Sequence, residues 1–169
     1  YSDKAPGMAL AATPIYFALR QIGQRVGVDF RLVDDSGRPD ETVNGRVTAH
    51  LLALGTSGFL TVIAALALYF CALRLSASPA IGVVTALTYA VATPIWGWST
   101  LFFGHAAAAA CLILAFCAIE ALDANGPPKR NTGLTVFAGI FAAWAVAFEY
   151  PTAPAVLLLA CMGLWKLTR

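Results

Sequence analysis

The sequence predicts an all-α protein: a polytopic transmembrane helix bundle with an external interfacial helix and a short polar external loop. Three observations predict it. The 169 residues are 59% hydrophobic and only 12% charged, where an ordinary soluble domain is about 25% charged; the mean hydropathy is +0.73. Five apolar runs approach the roughly 20 residues that cross about 30 Å of hydrocarbon. The basic residues between those runs fall on alternate links. Helices follow because backbone polar groups in lipid must be satisfied within the segment itself.

The chain opens with "YSDKAPGMALAATPIYFAL", in which an acid, a base and two prolines lie against an oily run. Met8 to Leu19, broken by Pro14, is too short to cross and fits an interfacial or re-entrant helix. Arg20, Gln21, Gln24 and Arg25 form its polar end. Residues 26–47 are a polar interlude. Here "VDFRLV" alternates as a short strand would, and "DDSGRPDE" is rich in turn formers, so a small hairpin is expected. Residues 1–47 are the external part, and residues 48–169 the membrane domain.

The expected spans are 51–73, 79–95, 104–121, 132–148 and 151–165. The first contains no charge until Arg74 follows it. Ser78 and Pro79 read as the N-cap and first residue of the second, which should end near Thr93–Pro94 because proline disfavours helix in the residue before it. Several runs are short, so they must stand upright or end in protein-lined cavities. The small residues at 106–110, and the Gly139/Ala143 spacing, suit close helix contact.

Arg74, Lys129, Arg130, Lys166 and Arg169 all fall on one side of such a bundle. The "WGWST" and "EYP" links on the other side hold no Lys or Arg. By the positive-inside rule the basic side is cytoplasmic, and residues 1–47 lie in a periplasm-like space. The absence of an initiator Met, and an end just after an apolar run, are what a piece of a longer polytopic protein would show.

The composition excludes several classes. A net charge of +2 is too small for a nucleic-acid-binding footprint. Cys71, Cys111, Cys117 and Cys161 lie in apolar runs without CxxC spacing and read as small buried hydrophobes. Asp34, Asp35, Asp40 and Glu41 do not match a calcium loop. No cofactor is indicated and no metal-ligand spacing is present, which leaves a divalent metal open.

The outer face holds the candidate chemistry. Asp3 and Lys4 precede the interfacial helix, His105 begins the third span and Glu149 ends the fourth. Glu149 in "FEYP" sits between aromatics at a helix break, where it can orient a hydroxyl or pair with Lys4 or His105; the plainer alternative is a headgroup-level acid. Trp96, Trp98, Phe102, Phe103 and Tyr150 gather at the same boundary, as an aromatic belt or as a stacking platform. A substrate with a long lipid tail would carry its phosphate to this level. Lys4 near a helix start suits that phosphate, Asp3 could take a proton from an attacking hydroxyl, and Arg20 or Arg25 could assist the departing phosphate.

"SDKAPGMALAATPIYFAL" resembles the acid-Lys-x-Pro segment and following hydrophobic helix of the GT-C superfamily of integral-membrane glycosyltransferases, nearest the protein mannosyltransferase and aminoarabinose transferase group. "ATPIWGWSTLFFGHAAAAACLILAF" and "FEYPTAPAVLLL" resemble bacterial members of uncharacterised specificity. The resemblance implies a multi-pass protein of the bacterial inner membrane with residues 1–47 periplasmic. It implies an outward-facing site, a polyprenyl-phosphate-linked sugar donor and inversion at the sugar carbon. The lipid bilayer and that donor are then the partners. It also implies a catalytic Asp in the first external loop, usually upstream of the Lys-Pro segment after a span absent from this sequence. Ala5 and Gly7 stand where the family often has Pro and Leu, so only Asp3, Lys4 and Pro6 carry over. The alternatives are a transporter or lipid flippase segment using Glu149 and His105 as a polar relay, and a non-catalytic membrane scaffold.

Overall fold

The computed structural model describes residues 5–33 and 36–168. Asp3, Lys4, Asp34, Asp35 and Arg169 lie outside the described residues. Every regular element among the described residues is helical. The expected hairpin reduces to one antiparallel bridge between Val33 and Pro39, beside which the Asp40 N–H donates to Leu32 O at 2.9 Å.

The first helix, α1 (Gly7–Val26), is longer than the apolar run suggested. Pro14 removes one backbone donor but does not end the helix, which carries on through Arg20 and Arg25. It stops at Gly27, which takes φ +73°, a conformation that favours glycine. Just beyond, Asp29 accepts from Arg20 at 2.7 Å and also pairs with Arg31.

Thr42 caps α2 (Val43–Ala53), its Oγ1 accepting from the Gly45 N–H. A π-turn at Leu54–Gly58 leads without a break into α3 (Phe59–Ser76), so Val43–Ser76 is one helix of 34 residues. The cap explains why it begins well before position 51. Ala77, at φ 54°, turns the chain and Pro79 starts α4 (Pro79–Val91), which stops short of the expected 95. A short α5 (Ile95–Ser99) follows Pro94. Then come α6 (Gly104–Glu120), α7 (Pro128–Phe148), a 3-10 turn at Tyr150–Thr152, and α8 (Ala153–Leu167).

Three helical segments are long and apolar enough to cross a membrane: Val43–Ser76, Pro128–Phe148 and Tyr150–Leu167. Of the five expected spans, the other two are apolar helices of lesser length, Pro79–Val91 and Gly104–Glu120. At 1.5 Å per residue those two rise about 20 Å and 25 Å.

The interior is built from small side chains. Ala106, Ala107, Ala110 and Ala115 of α6 are fully buried. Met8, Ala107, Ala108, Cys111, Ala145 and Phe148 form one cluster; Ala115, Ala118, Ile119, Leu122 and Ala138 form a second. Large apolar side chains such as Phe70, Val84, Leu157 and Leu158 point outward instead. Van der Waals packing of small residues, with bulky apolar groups outside, is how helices associate in lipid.

The two ends of the bundle differ chemically. At one end, Lys166 Nζ meets Glu120 Oε2 at 2.7 Å and Glu120 O at 3.0 Å, and Arg130 Nη2 donates to Ala121 O at 2.9 Å. These cations satisfy the last carbonyls of α6 and complement its dipole. Arg74 lines a groove with Ala121 and Gly133 at the same end. The opposite end gathers the starts of α1 and α6 and the end of α7. There Gly7 leaves no room for a side chain: a Cβ would run into the Ala147 carbonyl and lie 2.7 Å from Phe148 N. Gly7→Val should therefore lift the first turn of α1 off α7, costing about 1–3 kcal/mol by overpacking. A lowered thermal midpoint in detergent, with faster proteolysis within residues 7–26, is the expected result.

Candidate functional site

The site forms at the end of the bundle opposite the basic cluster. α7 ends at Phe148, and Glu149 takes an extended conformation, φ −151° and ψ 107°. Its N–H still bonds back to Ala145 O at 3.0 Å. Its carbonyl accepts from the Thr152 N–H at 3.1 Å and the Thr152 hydroxyl at 2.8 Å. Its carboxylate lies against the first residue of α6. That residue is Gly104, where a Cβ would lie 2.7 Å from both Glu149 Oε1 and Phe148 O. Only a glycine lets α6 start this close to the end of α7.

One residue on, His105 Nδ1 lies 3.0 Å from Glu149 Oε1. With the imidazole protonated, the contact is an ion pair. Neighbouring rings hold the imidazole. Trp98 meets it edge-on at 4.8 Å, and Phe103 lies nearly parallel, 7° off, at 6.4 Å. The His105 side chain is 53% exposed and that of Glu149 27%, so the imidazole opens outward over a more sheltered carboxylate.

The π-turn supplies support from behind. Ser57, fully buried within it, donates to Phe103 O at 3.2 Å and lies 3.9 Å from the Met8 sulfur of α1. π-turns inside α-helices recur at functional sites. Here the turn ties α1, the Val43–Ser76 helix and the start of α6 together. An apolar groove of about 320 Å³, bordered by Leu10, Pro14, Phe59, Trp144 and Phe148, runs down from the same place.

The structure brings His105 and Glu149 into direct contact, one of the two pairings expected for Glu149. Asp3 and Lys4 lie outside the described residues, but the chain reaches Gly7 against the end of α7, next to Glu149. Arg20 is not brought to this pair. It is engaged by Asp29 and by Phe30 O at 3.3 Å, and from Gly7 to Arg20 the helix rises about 20 Å. Trp98 and Phe103 of the aromatic cluster contact His105, whereas Trp96 and Tyr150 are largely exposed nearby. Among the described residues no group of three or more His, Cys, Asp or Glu could hold a metal.

Sequence reasoning missed Gly104, Gly7 and Ser57 as parts of the site. The signal for Ser57 was the polar Thr56–Ser57 pair inside an otherwise apolar run. For the two glycines no local signal exists, since their role depends on a helix that comes later in the chain. No family model, curated protein or solved structure matches this chain.

Proposed function

We propose that the chain is part of a polytopic membrane transferase of GT-C type, which moves a sugar from a polyprenyl-phosphate donor to an acceptor at the outer face of a bacterial inner membrane. One observation carries this reading. The start of α1, His105 and Glu149 converge at the end of the bundle away from Arg74, Arg130 and Lys166. If the basic end is cytoplasmic, the polar pair faces outward. α1 then begins at Gly7, against the end of α7 that leads into Glu149.

The surroundings suit such a substrate. The apolar groove below Phe148 fits part of a lipid tail, and Lys4 before a helix start fits the phosphate. The aromatic rings beside His105 offer faces for a sugar, and Glu149 can accept from its hydroxyls. Five spans would then include the two shorter apolar helices, Pro79–Val91 and Gly104–Glu120, standing upright in the bundle.

Lys4→Ala in the intact protein tests the reading. Sugar transfer from a polyprenyl-phosphate donor should fall by tenfold or more as phosphate stabilisation is lost. Transfer at the wild-type rate removes Lys4 from the site. Proton-coupled substrate movement without transfer, lost on changing Glu149 or His105, would replace the enzyme by a transporter.

A further inference from the structure

We infer that the groove between α3, α6 and α7 binds an anionic phospholipid, with one acyl chain lying in the groove and the phosphate held at its rim by Arg74, Lys129 and Arg130. The inference stands apart from the transferase reading and needs only that these helices lie in a bilayer.

The groove is apolar over most of its length. It encloses about 520 Å³ and passes Ile63, Leu66, Cys117 and Phe137 on its way to Arg74, a volume within the range of about 300–1,000 Å³ usual for ligand sites. From Ile63 to Arg74 the helix rises about 16 Å, so a chain lying along it runs parallel to the helices. Gly133 borders the same space, and a Cβ built there would meet nothing within 4 Å.

Charge is confined to one end. Arg74 lines the groove and is exposed. Arg130 donates to the Ala121 carbonyl at 2.9 Å, and Ala121 is itself part of the lining. Lys129 precedes Gly133 by one helical turn, so the two share a face of α7. Neither Arg74 nor Lys129 has an ion-pair or hydrogen-bond partner among the described residues. The nearby acids are engaged elsewhere: Glu120 is paired with Lys166, and Asp123 accepts from the Asn125 N–H at 3.0 Å. Lys129 and Arg130 also stand in the first turn of α7, which holds no acid, although a helix start favours negative charge. A phosphodiester at the rim answers both the unpaired cations and the uncompensated helix start, and its acyl chain answers the groove. Basic pockets between membrane helices recognise lipid head groups in this way. The groove along α6, α7 and α8 is of similar size, about 500 Å³, but no charged residue lines it, so it has no means of selecting an anionic lipid.

The test is native mass spectrometry of the intact protein, released from detergent with dioleoyl phosphatidylglycerol or dioleoyl phosphatidylcholine. The wild-type protein should retain phosphatidylglycerol at least tenfold more tightly. Arg74→Gln should cut that preference about fivefold, the worth of one basic residue beside an anionic surface, and Arg74→Gln with Lys129→Gln should cut it further. Gly133→Leu fills the groove without meeting a neighbour; it should abolish the tight retention while leaving the thermal midpoint in detergent near wild type. Equal retention of the two lipids, or a preference that survives in the double variant, overturns the inference. Retention unchanged by Gly133→Leu also overturns it, because the lipid would then be held by surface charge alone. A Gly133→Leu protein with a sharply lowered midpoint would show a protein helix packed in the groove, which excludes the lipid.

Discussion

On the transferase proposal, a Gly104→Val protein is expected to lose the His105–Glu149 contact and to fall at least 100-fold in sugar transfer while keeping its helices. The added Cβ would sit 2.7 Å from the Glu149 carboxylate oxygen and from the Phe148 carbonyl. The carboxylate can swing aside on its side chain, but the carbonyl belongs to backbone and cannot. Relief must come from moving the start of α6 away from the end of α7. A shift of about 1 Å is enough to cost on the order of 100-fold where geometry carries the chemistry. The rest of α6 is anchored by its alanine-lined contacts, so circular dichroism should stay near wild type. Lowered activity with helix content retained is the expected combination; a Gly104→Val protein with full activity would show that the two groups need not touch.

Lys166→Met should destabilise the protein by about 2 kcal/mol, below the 3–5 typical of a fully buried pair. The Lys166 and Glu120 side chains are 21% and 17% exposed. Removing the lysine strands a sheltered carboxylate and frees the Glu120 carbonyl that it also caps. Combining Lys166→Met with Glu120→Leu removes both charges, and most of the loss should return, since an apolar pair of similar volume often matches a sheltered ion pair. Denaturation of the single and double variants in detergent measures the coupling. A double variant as weak as the single one would mean that the cost lies in packing of α8 and not in the stranded charge.

The helices were legible because their signals are local. Pro79 after Ser78 and the apolar runs mark starts and extents in a few residues each, although α7 begins at Pro128, ahead of the expected 132. Boundaries slipped where a cap decided them: Thr42 extends the Val43–Ser76 helix outward, and the Thr93–Pro94 break ends α4 at Val91. Pro14 was misleading in the opposite sense, since α1 runs through it. Of the site, His105 and Glu149 stood out as polar residues at the ends of apolar runs, and alternating sidedness was enough to place them at one end. Their contact at 3.0 Å depends on Gly104 having no side chain, and the anchoring of Phe103 depends on Ser57. Both are facts of three-dimensional proximity between residues about fifty positions apart, and neither leaves a periodic trace. Arg20 was grouped with the site because it is basic and external; its neighbour in space, Asp29, takes it elsewhere.

The wide turn at Leu54–Gly58 has a consequence for how one long rod serves two sets of neighbours. A π-turn holds one residue more than an α-turn, and each helical residue turns the side-chain direction by about 100°. The seam presented by Val43–Ala53 is therefore out of phase with the seam presented by Phe59–Ser76. The upper seam can follow α1 while the lower one follows α4 and α6. Deleting a single residue from this stretch would bring the two seams back into phase, and one half of the rod would then turn its packing face to the wrong side.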